Sequence, residues 1–405
     1  METMEDVVIV GAGIAGVATA LALNRVGIKA LVLERSDGLR TTGVSLSLSQ
    51  NAWLALDALG VSHKLTSIYT PIERAFITNL KTGAIQQVSF STRANTKGVG
   101  PRPVHRKALL EVLAEELPLD SIRFSCKIKT IDAQQHERSS IAVVHLEDGT
   151  VIKSKVLIGC DGVHSVVAKW LGLAEPVHSG RSGVRGLTVY PQGHGLKKEV
   201  HQFLSTSVRA GFVPITDTNI YWFFVSSSQG TNLPTDPKVI QSDIFENHGK
   251  NMPEQYLDIV RHADVSTLTW ALLQFRLPWK VAFGNLSKQN VTVAGDAMHP
   301  MTPDLGQGGC AALEDAVVLG RHIGNSFLQN GRIIVPTEMC RAIEKYVEER
   351  KWRATWLIVG SYLSGWVQDG GSLWGLEWFR NFIFYKFIFP RIAGVIYYDC
   401  GKLPF

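Results

Sequence analysis

The sequence predicts an α/β protein that carries a second, antiparallel β-sheet as an insertion and has helices at its C-terminal end. Three observations predict this. The chain opens on a strand–helix–strand pattern, its middle consists of short apolar runs between turn residues, and the segment 346–405 begins with helical periodicity. A chain of 405 residues that is 45% hydrophobic can bury a large core and is long enough for two domains or one elaborated domain.

The first element is a strand followed by a glycine-rich turn. The apolar run VVIV precedes Gly11, Gly13 and Gly16 in the spacing G-x-G-x-x-G, and a second short run, ALVLE, ends at Glu34. This spacing inside a βαβ unit is typical of a Rossmann dinucleotide site, because the glycines let a pyrophosphate approach the helix N-terminus. An acidic residue at position 34 favours a ribose without a 2′-phosphate, hence FAD or NAD rather than NADP.

Two further buried strands end next to an aspartate. The stretch AVVHLEDGTVIKSKVLIGC predicts a hairpin whose second strand is followed by Asp161, and the run NVTVA is followed by Gly295 and Asp296. One carboxylate can meet a cofactor while the other bonds a polyol chain. The alternative for each is a helix N-cap.

With these residues the chain resembles the class A flavoprotein aromatic hydroxylases, which include para-hydroxybenzoate and salicylate hydroxylases. The resemblance is carried by GAGIAG, by VHRKALLEVL at 104–113, by CDGVHS at 160–165 and by GDAMHPMTPDLGQGGCAALEDAVVL at 295–319. The stretches TTGVSLSLSQNAWLALDALGV and YDCGKLP are similar to the plant branch related to urate hydroxylases and zeaxanthin epoxidase. The resemblance implies a para-hydroxybenzoate-hydroxylase-like fold, FAD as cofactor and NAD(P)H as a transient co-substrate.

The FAD-binding residues implied by the motifs and the resemblance fall in several separate stretches. Arg35 and Arg106 would contact the diphosphate or ribose, and Asp296 the ribityl chain. The stretch HPMTPDLGQGG would wrap the isoalloxazine ring and start a helix whose N–H groups face the ring. The full set is Gly11, Gly13, Ala15, Gly16, Glu34, Arg35, Arg106, Asp161, Asp296, Pro303, Gly306, Gln307, Gly308 and Gly309.

At one position the chain departs from the family. Relatives carry an arginine three residues after the serine of the D-G-x-x-S corner, whereas here Ser165 is followed at that distance by Ala168, with Lys169 beside it. That arginine helps to organise the corner, so the departure bears on how the nicotinamide cofactor is held. No second G-x-G-x-x-G follows a strand, and NAD(P)H is therefore expected to bind without a Rossmann unit of its own.

The domain organisation predicted from these patterns has three parts. Residues 1–73, 100–180 and 285–345 would form the FAD-binding domain. Residues 74–99 and 181–284 would form a substrate-binding β-sheet domain over the flavin, and 346–405 a C-terminal helical segment. Candidates for the substrate pocket are Arg185, Phe203, Phe212 and Tyr221, with His201 and Arg209 as further candidates to hold an anionic or phenolic group.

The predicted function is that of a FAD-dependent monooxygenase that uses NAD(P)H and O2 to insert one oxygen atom into a small organic substrate through a flavin hydroperoxide. Hydroxylation of an aromatic or plant specialised metabolite leads, and epoxidation of an alkene or terpenoid follows. A flavin reductase or dehydrogenase of the same fold and a non-enzymatic FAD-containing binding protein also stay open. No catalytic side chain is predicted, since the cofactor carries the oxygen, and no metal-ligand spacing is found.

The remaining composition bears on partners and location. The net charge of +5 is spread without a run of five like charges, which argues against nucleic-acid binding. Five scattered cysteines without a C-x-x-C pair favour reduced thiols in the cytoplasm, and the strand beginning at Val7 leaves little room for a targeting peptide.

The aromatic stretch WGLEWFRNFIFYKFIFPRIAGVIYY has two interpretations. It is either a peripheral membrane contact, or a segment that covers the FAD domain or forms a dimer contact. Both monomer and homodimer stay open.

Overall fold

The computed structural model describes residues 2–39, 44–90, 100–136, 139–228, 234–368 and 397–404. The strands are β1 (Glu2–Val10), β2 (Ala30–Leu33), β3 (Ser45–Leu48), β4 (Arg74–Asn79), β5 (Ile85–Ser89), β6 (Arg102–His105), β7 (Ile122–Arg123), β8 (Ile128–His136), β9 (Ser139–Leu146), β10 (Val151–Gly159), β11 (Val177–Val189), β12 (Glu199–Ser205), β13 (Val208–Pro214), β14 (Asn219–Ser227), β15 (Thr269–Phe275), β16 (Ser287–Lys288) and β17 (Val291–Val293). The helices are α1 (Ile14–Arg25), α2 (Gln50–Leu59), α3 (Ser62–Thr66), α4 (Arg106–Glu115), α5 (Val166–Trp170), α6 (Pro237–Asp243), α7 (Glu254–Arg261), α8 (Pro278–Ala282), α9 (Gly308–Gln329) and α10 (Pro336–Gln368).

The first sheet is built around a parallel core. Its order is β16-β17-β10-β1-β2-β7, and the β8–β9 hairpin extends it from β10. Because β1, β2, β10 and β17 are parallel, their carboxyl ends meet at one edge. The glycine-rich turn, Glu34, Asp161 and Asp296 all follow these strands, so the fold brings them to the same edge, where open α/β sheets bind ligands.

The second sheet is a separate layer of seven strands in the order β15-β11-β14-β13-β12-β4-β5. All its neighbours are antiparallel except β12 and β4. The predicted α/β fold with an inserted antiparallel sheet is confirmed. Its strands fall in the segments proposed for the substrate domain, except that β11 begins at Val177, ahead of the proposed boundary at 181.

The proposed boundary between residues 345 and 346 is wrong as a domain limit, because it falls inside the continuous helix α10. That helix packs on α8 and α9 and belongs to the first domain. Most of the C-terminal aromatic stretch, residues 369–396, lies outside the described residues. Residues 397–404 return to the first domain, where Leu403 and Pro404 pack against two glycines of α9, Gly320 and Gly324.

The two faces of the second sheet have different surroundings. One face carries Phe203, Phe212 and Trp222, which pack with Tyr256 and the other apolar residues of α6 and α7 in a second core. Side chains alternate along a strand, so the neighbouring Tyr221 points to the opposite face and packs against the core of the first domain.

The prediction that Phe203 and Phe212 line the substrate pocket is therefore wrong. Phe203 is 6% exposed and Phe212 is 1% exposed, both inside the second core. The candidate His201 is on the same face, stacked on Phe212 with ring centroids 4.8 Å apart. Its position does not support contact with a ligand between the domains.

A fully buried charge network joins α9 to α10. Arg350 Nη1 is 2.6 Å from Glu314 Oε2, and Arg350 Nε donates to Asp315 Oδ1 at 2.6 Å. All three side chains are completely buried. Arg353 adds two further hydrogen bonds to Glu314. Two adjacent carboxylates are thus compensated by two guanidinium groups inside the protein, where an unpaired charge would be very costly.

We expect Arg350→Met to destabilise the protein by about 3–5 kcal/mol, because it leaves the two buried carboxylates without their shared cation. The urea midpoint of unfolding measures the loss. Arg341→Met is the matched control, since Arg341 lies on the same helix in an exposed pair with Glu338, and should cost less than about 1 kcal/mol. Equal midpoints for the two variants would contradict a stabilising role for the network.

The network also predicts a dependence of stability on acidity. Burial would raise the pKa of Asp315, but the charges of His299 and Arg350 and the hydrogen bonds from His299 and Gly295 outweigh it and lower that pKa from 3.8 to about 2. A depressed folded-state pKa gives stability that is present above the unfolded pKa and lost as the pH falls through the folded one, here about 2 kcal/mol. Arg350→Met should weaken this dependence. Urea midpoints between about pH 5 and about pH 3 test it, and parallel curves for wild type and variant would contradict it.

Candidate active site

The turn after β1 is shaped by its glycines. Gly11 has φ +98°, and a Cβ there would lie 2.6 Å from the carbonyl oxygen of Cys160. A Cβ on Gly16 would collide with the carbonyl oxygen of Gly11. At Gly13, by contrast, a Cβ would meet no atom within 4 Å, and no side chain caps the α1 N-terminus there. Two glycines thus permit close packing, and the third leaves open space over free helical N–H groups, which suits a diphosphate.

Glu34 fixes this turn from the end of β2. Its Oε2 accepts a hydrogen bond from Ala12 N at 2.8 Å and its Oε1 one from Ser36 N at 2.9 Å. A carboxylate has about four acceptor positions, so both oxygens can still accept from a ribose hydroxyl. Arg35, the next residue, is exposed.

The corner after β10 caps a helix. Asp161 Oδ1 accepts from Ser165 Oγ at 2.5 Å and Oδ2 from Val166 N at 2.7 Å, while Ser165 Oγ accepts from Ala168 N at 2.9 Å. The helix-cap alternative therefore describes the Asp161 side chain. Burial raises its pKa, and the hydrogen bonds from Ser165 and Val166 oppose that shift. Ala168 is buried and Lys169 is exposed, so a core methyl group stands where the family has its arginine.

The turn after β17 is wedged between two helix N-termini. Gly295 has φ +60°, and a Cβ there would lie 2.8 Å from the Ala15 Cβ of α1 and 3.6 Å from the Ala312 Cβ of α9. The next residue, Asp296, is exposed although its neighbours in the chain are buried, which places its carboxylate at the wall of a cavity. A Cβ on Gly308 would lie 3.9 Å from Asp296 Oδ1. Turns from three distant parts of the chain thus meet around one space.

Three basic side chains act on Asp296. The protein atoms that enclose the cavity desolvate its carboxyl group and raise its pKa, although the side chain is open to the cavity, and the charges of His299, Arg106 and Arg185 counteract that rise. Arg106 is the first residue of α4 in the first domain, while Arg185 comes from β11 of the second sheet. The two domains therefore contribute cations to the same carboxylate.

The stretch HPMTPDLGQGG turns sharply before α9. Pro303 and Gly306 are exposed, and Gly306 has φ +63°. A Cβ on Gly309 would lie 3.3 Å from the Leu46 side chain. No side chain caps the α9 N-terminus, so its N–H groups and helix dipole are available to a group that becomes negatively charged.

The Gln307 side chain is used to hold this turn in place. It accepts a hydrogen bond from Asn51 Nδ2, within α2, at 2.9 Å. It donates one to Ser49 Oγ, just before α2, at 3.2 Å. Asn51 also donates to Glu314 of the buried network. Since its carbonyl oxygen accepts from Ala311 N, Gln307 would meet a cofactor through its backbone N–H. The network holds the other end of the turn as well, since Asp315 Oδ2 accepts from Gly295 N at 2.8 Å and lies 2.6 Å from His299 Nε2.

A second ion cluster joins the turn to the second sheet, and sequence reasoning missed it. Asp304 accepts two hydrogen bonds from Arg181, at 2.9 and 2.7 Å, and one from Arg209 at 3.0 Å. The arginines lie on β11 and β13. The α10 residue Gly365 covers the cluster, since a Cβ there would collide with the Arg181 guanidinium. The partners are 123 and 95 residues apart in the chain, and no local pattern could have paired them.

The face of the second sheet that meets the first domain carries Arg185, Tyr221 and Phe223. Their strands place Arg185 directly opposite Phe223, and the Tyr221 and Phe223 ring centroids are 6.2 Å apart. Of the sequence candidates, Arg185 and Tyr221 thus stay in the cleft, whereas Arg209 is bound to Asp304. Phe223 was missed, although strand alternation from Tyr221 would have found it.

Two buried cysteines border the same turns. Cys160 follows β10 against Gly16, and Cys310 lies in the first turn of α9, its Sγ 3.6 Å from the Gly306 carbonyl oxygen. Burial raises the pKa of both thiols, that of Cys310 to about 12.

The residues present fit an extended dinucleotide flavin. The space above Gly13 and the uncapped α1 suit its diphosphate, and the exposed Asp296 suits its polyol chain. The glycines at the uncapped α9 N-terminus suit a flat ring that must touch the backbone.

Comparison with proteins of known family also indicates a FAD-binding protein. The FAD binding domain family matches residues 4–354. The chain is 39% identical to Monooxygenase 2 of Arabidopsis thaliana over 411 residues, covering 99% of each chain. It is 28% identical to a FAD-dependent urate hydroxylase of Mycolicibacterium vanbaalenii, covering 77% of this chain and 78% of that one.

Among solved structures, Klebsiella pneumoniae HpxO, crystallised with FAD and uric acid, has a TM-score of 0.80 at 23% identity, covering 98% of this chain and 96% of that chain. This likeness supports the para-hydroxybenzoate-hydroxylase-like fold. FAD is thus the cofactor for which these turns are built. The chain belongs to the class A FAD-dependent hydroxylase family, and it is a flavin-dependent monooxygenase.

Proposed function

We propose that this enzyme uses NAD(P)H and O2 to hydroxylate a small, electron-rich aromatic or heteroaromatic compound that carries an acidic group. The observation that carries the proposal is the cleft face of the second sheet. There Arg185 is directly opposite Phe223 in the strand register, and its charge acts on both Tyr221 and Asp296. Arg209 adds a second cation, with its guanidinium carbon 5.6 Å from the Phe223 ring centroid. A cation next to two aromatic rings recognises a flat anion by charge and by stacking.

The charge balance of the cleft supports an anionic substrate. Arg209 has its carboxylate partner in Asp304. Arg185 acts on Asp296 from across the cleft and forms no ion pair with a carboxylate of the described residues. Burial raises the pKa of the Tyr221 hydroxyl, and the charges of Arg185 and Arg209 oppose that shift. Tyr221 therefore stays protonated near neutral pH and can donate a hydrogen bond to a phenolate or carboxylate.

The chain contributes positioning and electrostatics to the reaction. When bound, reduced FAD supplies the activation of oxygen. The α9 N-terminus would stabilise negative charge at the ring edge, and Asp296 would hold the ribityl chain. The Asp304 cluster would keep the second sheet closed on the turn and exclude water from the cleft. The similarity to a FAD-dependent urate hydroxylase supports an oxidisable ring as substrate, since the named substrate of that relative, urate, is such a ring.

Epoxidation of an alkene, the next interpretation of the sequence, needs no cation in the cleft, and Arg185 argues for the hydroxylation instead. A reductase or dehydrogenase of the same fold would oxidise NAD(P)H without consuming oxygen. Oxygen uptake and the mass of the product separate these activities.

We expect a member of a panel of phenolates, aromatic carboxylates and urate to stimulate NAD(P)H oxidation and oxygen uptake together. The product should be about 16 mass units heavier than the substrate, since one oxygen atom is added. Oxygen electrode traces and mass spectrometry of the same reaction provide both measurements. Stimulation only by neutral alkenes, or NAD(P)H oxidation without oxygen uptake, would contradict the proposal.

With that substrate, Arg185→Gln should raise KM by about 10–100-fold, because a charge-assisted hydrogen bond worth about 1.5–3 kcal/mol is lost. Arg185→Lys should recover part of the affinity, and bound flavin per protein should stay constant. Phe212→Leu is the control, since it alters the same sheet on its other face. A KM for Arg185→Gln equal to that of Phe212→Leu would show that Arg185 does not bind the substrate.

Asp296→Ala should lower the affinity for FAD by about 10–100-fold, because the ribityl hydroxyls lose a charged acceptor. Titration of the apoprotein with FAD, followed by flavin fluorescence, measures the change. Asp217→Ala removes an aspartate whose side chain is 89% exposed and serves as control. Full flavin content in the Asp296 variant would count against the site.

A further inference from the structure

Helices α8 and α10 expose a row of large apolar side chains at one surface of the first domain. Those on α10 are between 36% and 63% exposed, and at about 100° per residue they fall within an arc of roughly 80°. We call this surface the tryptophan face. It consists of Trp279, Phe283, Trp352, Trp356, Leu363 and Trp366.

The two helices form one continuous surface. Phe283, at the end of α8, is 79% exposed, and its ring meets the Trp352 ring edge-on with centroids 5.8 Å apart. Trp279 lies one turn earlier and is 55% exposed. Along α10 the row from Trp352 to Trp366 is roughly 21 Å long. Contiguous exposed apolar surface of this kind marks an interaction site rather than ordinary scatter.

The charges around the face are those that an anionic surface attracts. From residue 350 to residue 368, α10 contains no Asp or Glu. Arg350 and Arg353 belong to the buried network with Glu314 and Asp315, so the α10 cation beside the face is the half-buried Lys351. Lys280 is exposed between Trp279 and Phe283 on α8. The nearest acidic residue of α10 that is exposed, Glu348, precedes the row at its N-terminal end.

The residue types indicate what covers the face. Packing between helices of one protein favours aliphatic side chains that fill space without a polar atom, whereas four of these six residues are tryptophans. An indole ring combines apolar area with an N–H that seeks a polar partner, and it therefore concentrates where lipid chains meet headgroups. The sequence that directly follows α10, residues 369–396, contains eight aromatic and three basic residues against two acidic ones, the composition of a membrane-surface segment.

We propose that the tryptophan face docks the enzyme on a bilayer surface that contains anionic lipid, with the indole rings at headgroup level. The contact is peripheral, since no helix in the described part of the chain is long and apolar enough to span a bilayer. The face ends beside the Asp304 cluster. Trp366 directly follows Gly365, which covers the Asp304 cluster. The proposal does not depend on the reaction or the substrate.

Vesicle sedimentation tests the proposal with the full-length, FAD-loaded protein. The probes are vesicles of phosphatidylcholine alone and of phosphatidylcholine with roughly 30% phosphatidylserine. We expect binding to the mixed vesicles, and a fall of about tenfold or more in the partition constant of the Trp356→Ser, Trp366→Ser double variant. The matched control is Leu119→Ser with Ile85→Ser, which removes side chains that are 94% and 66% exposed on other elements and should bind like wild type.

A measurement on the unmodified protein removes the dependence on the variant's folding. Vesicles with brominated acyl chains should quench tryptophan fluorescence when the protein binds. Absence of binding, binding without quenching, or equal binding of the double variant would each overturn the proposal. Two other results would also overturn the proposal, because each would assign the tryptophan face to another occupant. A concentration-dependent dimer that the double variant abolishes would assign the face to a second copy, and a lower melting temperature of the double variant without vesicle binding by wild type would assign it to another part of this chain.

Discussion

The structure depends on the pairing of Arg350 with Glu314 and Asp315. These neighbouring carboxylates lie on α9, completely inside the protein, and could not remain ionised there without cations. A guanidinium reaches them from an element that packs on α9, and α10 is such an element. The carboxylates also anchor the turn that precedes α9 and the neighbouring helix α2, since Asp315 binds Gly295 and His299, and Glu314 binds Asn51. The flavin turn is thus fixed by electrostatics in the core behind it.

This arrangement explains why a turn with so many glycines keeps one shape. Glycine adds conformational freedom and no side-chain contacts, so the segment from 295 to 309 would not be rigid by itself. Its ends are held by hydrogen bonds to Asp315 and Asn51, and its middle by Asp304, whose two arginines come from the second sheet. The glycines therefore let the backbone approach a flat ring, while the hydrogen bonds hold the turn in one position.

Much of this could be predicted from the sequence because the signals are local. Glycine spacing after a strand predicts the open space above Gly13, and three strands that end next to an acidic residue predict a common edge. The ion clusters could not be predicted, because Asp304 and Arg181 are 123 residues apart and nothing near either residue names its partner. The substrate candidates failed for a different reason. Alternation shows that Tyr221 and Trp222 point to opposite faces of β14, but only the packing of α6 and α7 decides which face is a core. Phe203 and Phe212 were therefore placed on the wrong side.

The state of the two thiols next to the flavin turns has a consequence for their reactivity. In a flavoprotein that activates oxygen, a thiol beside the cofactor turns is exposed to oxidation when it ionises. Only the thiolate reacts readily, and in Cys160 and Cys310 the surrounding apolar atoms keep the proton on sulfur. These two side chains therefore stay in the less reactive thiol form beside the flavin turns.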